Sequence, residues 1–555
     1  MRTDISLLFP YETEYKEMTP AAAHDLCIDM LCKAMTSNEK EQYLIKSVLT
    51  NLTPDPKVAA FRSDIMDDVV HLPDMREKLS QLLEKVAVIK DFGILKREIG
   101  SNAGLWELMH KLEEIRDYIR CVEGIHECLS DADIKSEGLI RLRDYVKNTY
   151  EDAMYAQLKE DIDNISCQTN EIASVTVGIN LNQRFEASSI GLVSVNNKPF
   201  KNSGILHNFS SAKGVQDGTD WDGDMHFKPI EKSSSFGVNL TRLGGFMALQ
   251  KNPLIDSSTR SSIVNIPDDD ANSSFPRYID QVASRMMNLL VKQLREVLVK
   301  YVSLSIGSIT DLIPEFTYYV RGAQLLDKLT GRGFKFTKPV VSDSGELMDA
   351  QGIYNIKLVL EGEIKPDAVV TNNLDFDNDN LVYILTGANR GGKTTITQAI
   401  GQLYVMAQGG MYVPASCFKY VPVDNIYTHF PADEDKTLDL GRLGEECKRF
   451  KEMYTEATDK SLMLLNETFS TTSFEEGYYI AADSIKAILH KGIRTIYNTH
   501  MHKLGFELPK ETKAVSIIVQ KGTYKVVKTQ PEGMSYADDI ARRYGVTYDM
   551  LTKED

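Results

Sequence analysis

The sequence contains no run of about 18 apolar residues, so no membrane span is expected. Its opening, MRTDISLLFPYETEY, lacks a long apolar core and carries early acids, which argues against secretion. Seven cysteines (Cys27, Cys32, Cys121, Cys128, Cys167, Cys417, Cys447) are too few and too scattered for a disulfide scaffold. None forms a CxxC pair, which also excludes a structural zinc site with the usual spacing. Basic side chains fall short of acidic ones, 63 against 79 in 555 residues, for a formal charge of −16. That balance weighs against an overall basic nucleic-acid binder while leaving room for a local patch. What is present is globular: 42% hydrophobic and 26% charged residues rule out wholesale disorder. The length suggests about three or four folding units. The expectation is a reduced, soluble, cytoplasmic protein.

Along the chain the character changes three times. Met75, Leu79, Leu82, Leu83, Val86 and Ile89 recur at spacings of three and four, which places them on one helical stripe. A second amphipathic stretch runs from Leu105 to about Ile172, with Ile115, Tyr118, Ile119 and Val122 spaced for one face and no proline interrupting it. Between Ala173 and Asn252 the pattern turns β-branched and glycine-punctuated. SVTVGINL and IGLVSV are spaced to pair as antiparallel strands across Asn182 to Ser189. A Ser, Asn, Asp and Gly-rich stretch follows and reads as loops. Helical periodicity returns near Pro276, with Ile279, Val282, Met286, Leu289, Leu290, Leu294 and Val297 in one stripe, and persists to about Lys328. In the last third, LVYILTG, SLMLLNE and RTIYNTH are short apolar runs, each followed by turn or helix signals. They predict a mostly parallel sheet covered by helices.

The chemistry-bearing residues lie in that last third. Gly387-Ala388-Asn389-Arg390-Gly391-Gly392-Lys393-Thr394, continued by Thr395, matches G-x-x-x-x-G-K-[ST] between an apolar strand and a helical stretch. The glycines allow backbone N–H groups to converge into an anion nest, and the following helix adds its positive end. In that arrangement Lys393 bridges the outer phosphates, and the Thr394 hydroxyl joins the shell of a Mg²⁺. The run Ser461 to Leu465 ends in Asn466-Glu467, where phosphoryl-transfer sites hold a metal-side residue and a carboxylate that polarises water. Asn466 and Glu467 are therefore candidates beside the metal, with Thr394. The run Arg494 to Asn498 ends in Thr499-His500, a position from which His500 can sense a terminal phosphate.

TGANRGGKTT, GGMYVPA, PVDNIYTHFPADED, LLNETFSTTSFEEG and NTHMHKL together resemble the ATPase domain of the MutS family of DNA mismatch-repair proteins. GMSYADDIARRYGV, from Gly533 to Val546, is similar to that family's closing motif. The resemblance covers about 200 residues by motif, and the upstream helices by architecture only. It implies a multidomain α and α/β chain, with a helical core and levers around a small β-rich insert, then a P-loop ABC-type ATPase domain with a mostly parallel sheet. The expected partition is 1–104 core, 105–172 outgoing lever, 173–275 clamp-like insert, 276–340 returning lever and 341–555 ATPase domain.

By the same resemblance, Gly387 to Thr395 hold ATP with Mg²⁺, Glu467 is the general base, and His500 is a switch histidine facing the γ-phosphate. Ser470 to Gly477 forms a loop addressed to an opposite subunit, so a homodimer with two composite sites is implied. The chain departs from the family pattern at Gly441, where a Ser is expected, and at Asn466, where an Asp is expected. Both departures predict slower hydrolysis, and the second predicts weaker Mg²⁺ dependence. No Phe-x-Glu mismatch-reading motif occurs in the first hundred residues, so the mismatch-binding and connector modules are expected to be missing. Residues 151–280 hold about 17 acidic and about 11 basic side chains, including Asp268-Asp269-Asp270, where a DNA clamp should be positive. Two readings follow. One is a MutS-like dimeric ATPase that clamps double-stranded or branched DNA in repair or recombination. The other is an ATP-driven conformational switch or scaffold with a protein partner and no direct DNA contact.

Overall fold

The computed structural model describes residues 5–86, 104–169, 174–196 except 184, 263–265, 280, 284, 288–301, 312–342, 346–431 except 363, 389 and 390, 441–531, 542 and 544–552. Two compact units emerge. One comprises Glu84–His126 and Tyr145–Thr310 with the first two residues; the other comprises Thr3–Leu83, Glu127–Asp144 and Asp311–Asp555.

The first unit is helical with a small sheet. The stretch from Leu105, of which Glu127–Asp144 belongs to the second unit, breaks without a proline into helices Leu105–Leu129, Glu137–Tyr150 and Ala153–Thr169, and Ser130, Asp131 and Asp133 supply the turn chemistry of the first break. Helix Asn288–Lys300 packs on Ala153–Thr169, where the Tyr301 hydroxyl donates to Asp161 at 2.7 Å. Strands Ser174–Leu181 and Ala187–Asn196 pair antiparallel, and Ile263–Asn265 adds a third strand. Most of the insert expected at 173–275, Asp268 to Asp270 included, lies outside the described residues, as does Ile89.

In the second unit the core-facing stripe of helix Pro73–Val86 is as the spacing predicts: Met75, Leu79, Leu82 and Leu83 are buried. The main sheet has six strands in the order Ile426–His429, Leu462–Asn466, Arg494–Asn498, Val382–Gly387, Val515–Val519, Val526–Lys528. The first five are parallel and the last is antiparallel. Three of them, Leu462–Asn466, Arg494–Asn498 and Val382–Gly387, are buried along almost their whole length, so they read as continuous apolar runs rather than alternating ones. A second, four-stranded sheet orders Val340–Val341, Cys417–Tyr420, Glu346–Ile353 and Asn372–Asp377.

Helix Lys393–Gln408 (the loop helix) runs between the main sheet and the N-terminal helices. A Cβ on its Gly401 would meet the Leu26 side chain at 2.5 Å and that of Leu464 at 2.8 Å, so a larger residue here would force one of these leucines to move. Its glutamines reach N-terminal backbone. Gln398 donates to Asp25 O at 2.8 Å, Gln402 to Leu26 O at 3.1 Å and Gln408 to Thr53 O at 3.0 Å. Its last carbonyl, that of Gln408, accepts from buried Arg62 at 3.0 Å, and the same guanidinium donates to Leu8 O at 2.8 Å. Among the described residues, no helix is long and apolar enough to cross a membrane.

Candidate functional site at the carboxyl ends of the parallel strands

The buried strand Val382–Gly387 ends in the glycine loop, and the loop helix begins at Lys393. Gly387 (φ 139°) and Gly392 (φ 93°) adopt backbone conformations that side chains disfavour. A Cβ on Gly387 would stand 2.8 Å from Val519 O, and one on Gly391 would stand 2.8 Å from Ala388 O. The loop therefore needs glycine at 387 for space and for φ, at 391 for space and at 392 for φ. Gly392 caps the helix with no side-chain bond, so the N–H groups of Lys393, Thr394 and Thr395 have no intrahelical acceptor. Asn389 and Arg390, also expected in this loop, lie outside the described residues.

Lys393 is buried, and its ammonium donates to Gly387 O and Ala388 O, both at 3.1 Å. Burial lowers its pKa, and the nearby Glu467 charge works in the opposite sense. The same ammonium lies 3.5 Å from His500 Nδ1, and His500 Nε2 lies 2.6 Å from Glu467 Oε1. The consistent tautomer has Nε2–H donating to the carboxylate and the Nδ1 lone pair facing the ammonium. The His500 hydrogen bond is the main reason that the Glu467 carboxyl sits below its ordinary pKa, with Lys393 adding to it. Lysine, histidine and glutamate thus form one chain from the loop to the acidic strand end. The histidine and the glutamate stay wet, with side chains 40% and 32% exposed, so water reaches the carboxylate.

Beside this chain, the Thr394 hydroxyl donates to Asn466 Oδ1 at 3.3 Å. The Asn498 amide, unremarked in the sequence, donates to the same oxygen. The parallel register Asn466↔Asn498 is what brings the two amides together. Thr394, Asn466 and Glu467 offer oxygen ligands, the donor type that a hard divalent cation takes. Among the described residues there is no cluster of three or more His, Cys, Asp or Glu side chains that could hold a metal ion alone. This donor set fits Mg²⁺ only as a shared site completed by phosphate oxygens, which is the usual Mg²⁺ arrangement.

Gly441 opens helix Gly441–Glu456, and the segment leading into it, with Asp439, is outside the described residues. Ser470 to Gly477 forms the turn into helix Phe474–Lys491, whose N-cap Ser473 accepts from Glu476 N–H. Of the closing motif, only Arg542 and the residues from Tyr544 onward are described.

A parallel sheet with a glycine-cradled loop at a helix N-terminus and an acid at the neighbouring strand end defines a parallel α/β domain with an anion-receiving crevice at its strand ends. Residues 383–546 match MutS domain V. The chain thus carries, in residues 383–546, a domain of the MutS family. It is similar to the endonuclease MutS2 of Thermus thermophilus, at 30% identity over 194 residues, 34% of this chain and 26% of the relative. It is also similar to the DNA mismatch repair protein MutS of Chlorobium chlorochromatii, at 28% over 230 residues, 40% of this chain and 26% of that one. The MutS of Fusobacterium nucleatum is 31% identical over 229 residues, 39% and 25% of the two chains. The matches thus span about a quarter of the length of these relatives.

Proposed function

We propose that this protein binds and hydrolyses ATP at the loop of Gly387 to Thr395, and that it does so as a homodimer with composite sites. The observation that carries the reading is the chain Lys393–His500–Glu467 lying directly beyond a glycine loop and an uncapped helix N-terminus. The N–H groups of that helix end receive phosphate oxygens. Lys393, now held by two loop carbonyls, turns to the stronger anionic acceptors. Glu467, ionised and reached by solvent, accepts a proton from the water that attacks the terminal phosphorus as the bond to the leaving diphosphate oxygen breaks. His500, between base and ammonium, reports through its hydrogen bonds whether a terminal phosphate is present. Thr394 and Asn466 would hold Mg²⁺ together with the phosphates; its chemistry there is charge neutralisation. Asn466 brings one negative charge fewer than a carboxylate would, which supports slow turnover with modest metal dependence.

The test is Glu467→Gln in the full chain. It should bind ATP like the wild type and lose hydrolysis by at least about 100-fold, the scale of general-base contributions. Persistent hydrolysis sinks the assignment of the base.

The reading extends to DNA. By family kinship, dimer closure over ATP drives a clamp on double-stranded or branched DNA in repair or recombination. The acidic excess in residues 151–280 favours the second reading, a switch acting on a protein partner. Fluorescence anisotropy with duplex and junction DNA across a salt series separates the two. A phosphate-clamping protein loses affinity steeply with salt. Absence of binding at low salt, with and without ATP, selects the protein partner.

A further inference from the structure

The turn after strand Leu462–Asn466 adopts a conformation that its residues do not favour. Glu467 (φ 55°) and Phe469 (φ 64°) both stand in the left-handed region, and neither is glycine. Each costs about 1–2 kcal/mol relative to ordinary backbone. Specific bonds hold the turn in place. Glu467 N–H donates to Asn498 O at 2.9 Å, the Tyr497 hydroxyl donates to Thr468 O at 3.0 Å, and the Thr471 hydroxyl donates to Glu446 at 3.1 Å. A further bond joins the Thr468 hydroxyl to His429 Nδ1 at 3.1 Å.

His429 is the last residue of strand Ile426–His429 and only 4% exposed. Its Nε2 is buried with no hydrogen-bond partner. An unpaired buried polar atom costs about 1–3 kcal/mol, a penalty that an apolar ring of similar size would escape. Burial first, and the Arg449 guanidinium second, push its pKa down to about 4, so the ring is neutral at physiological pH. Arg449 is fixed there by its own bonds to Thr428 O at 3.1 Å and Phe430 O at 3.3 Å. The side-chain bond of this neutral histidine goes to Thr468, the residue between the two left-handed positions.

We infer that His429 is a positioning residue for the hydrolysis proposed above. Through Thr468 it locks the left-handed turn that presents the Glu467 carboxylate to water. The inference rests on Glu467 being the base. His429 touches no reacting atom; it fixes the peptide from which the base projects, while His500 steadies the other end of the same carboxylate.

The test compares steady-state ATP hydrolysis, and the affinity for a non-hydrolysable ATP analogue, in wild type, His429→Phe, Thr468→Val, the double variant and His429→Asn. His429→Phe keeps the ring and loses the bond. Thr468→Val is nearly isosteric and guards against a histidine variant that does not fold. The expected result is a kcat about 10- to 100-fold lower in both single variants, the scale of a small misplacement of a catalytic group. The double variant should be no worse than either single one, because one bond is being removed twice. KM and analogue affinity should stay within about twofold of wild type, since uniform binding is untouched. His429→Asn, which returns a polar atom near the Nδ1 position, should recover most of the lost kcat. Unchanged kcat in both single variants overturns the inference, as do losses that multiply in the double variant or analogue affinity that falls in step with kcat. A wild type that binds the analogue but does not hydrolyse ATP is a different failure. It removes the ATPase reading, and the positioning role with it.

Discussion

Replacing Arg62 by methionine tests the joint between the N-terminal helices and the loop helix. Arg62 is 1% exposed, and burial lowers its pKa, yet its guanidinium donates to Leu8 O at 2.8 Å and Gln408 O at 3.0 Å and lies 4.6 Å over the Phe9 ring. Each hydrogen bond to a charged donor contributes about 1.5–3 kcal/mol, and the desolvated cation–π contact about 2 kcal/mol. Against these stands the cost of burying the cation, several kcal/mol, which methionine does not incur. Methionine fills the volume but leaves two buried carbonyls unpaired, at about 1–3 kcal/mol each. The carbonyl penalties decide the balance, so Arg62→Met should lose on the order of 3 kcal/mol. In urea unfolding of the full chain the midpoint should fall by about 1 M at a slope of about 3 kcal/mol/M, and by less where the slope of so long a chain is steeper. Limited proteolysis should show earlier cleavage near residues 9–16, because the segment around Leu8 is no longer pinned. Arg62→Lys should rescue only partly, since one ammonium cannot reproduce the forked donor geometry. A midpoint equal to or above that of the wild type would refute the reasoning, showing that desolvation outweighs the bonds.

Three further outcomes are expected. His500→Ala removes the main cause of the depressed Glu467 pKa, so the acid limb of the pH–rate profile should move to higher pH; an unmoved limb means that Glu467 does not govern it. Asn466→Asp should tighten Mg²⁺ binding in the presence of nucleotide or raise turnover, and identical metal titrations would count against the shared-cation site. Glu315, which accepts from the Ser6 hydroxyl and from Leu7 N–H, has its pKa raised to about 7 by burial. The folded state holds this proton while the unfolded chain has released it, so the contribution is present at low pH and fades between the ordinary glutamate value and about pH 7. The urea midpoint of the wild type should therefore fall relative to Glu315→Gln as pH rises from about 5 to about 8, and parallel curves would exclude the linkage.

The parts of this architecture legible in the sequence are those specified locally. LVYILTG, SLMLLNE and RTIYNTH announce three central strands because strands buried on both faces must be apolar throughout. The glycine loop is legible because its backbone demands residue types at fixed spacing. Strand Ile426–His429 is short and set in polar surroundings. Strands Glu346–Ile353 and Asn372–Asp377 carry acids on exposed or half-exposed positions, so neither shows an apolar run. The partners of the site residues are hidden for another reason. Asn498 meets Asn466 through sheet register, and His429 meets Thr468 across 39 positions, so their roles exist only once the strands are side by side.

The placement of the loop helix bears on how this protein can be dissected or recombined. Gly401 is wedged between Leu26 and Leu464, and three glutamines of the same helix take their acceptors from Asp25, Leu26 and Thr53. A fragment beginning at residue 341, though it carries every residue that matches domain V, would bare one flank of its central helix and orphan those amides. Its expression should yield aggregated or unfolded material unless residues 5–71 are supplied in trans. For the same reason, a chimera with a relative's domain V should fold only when the first two helices, Pro20–Asp25 and Ile28–Met35, travel with it. The inheritable module is therefore discontinuous in sequence: the loop helix and the N-terminal helices have to be exchanged as one piece.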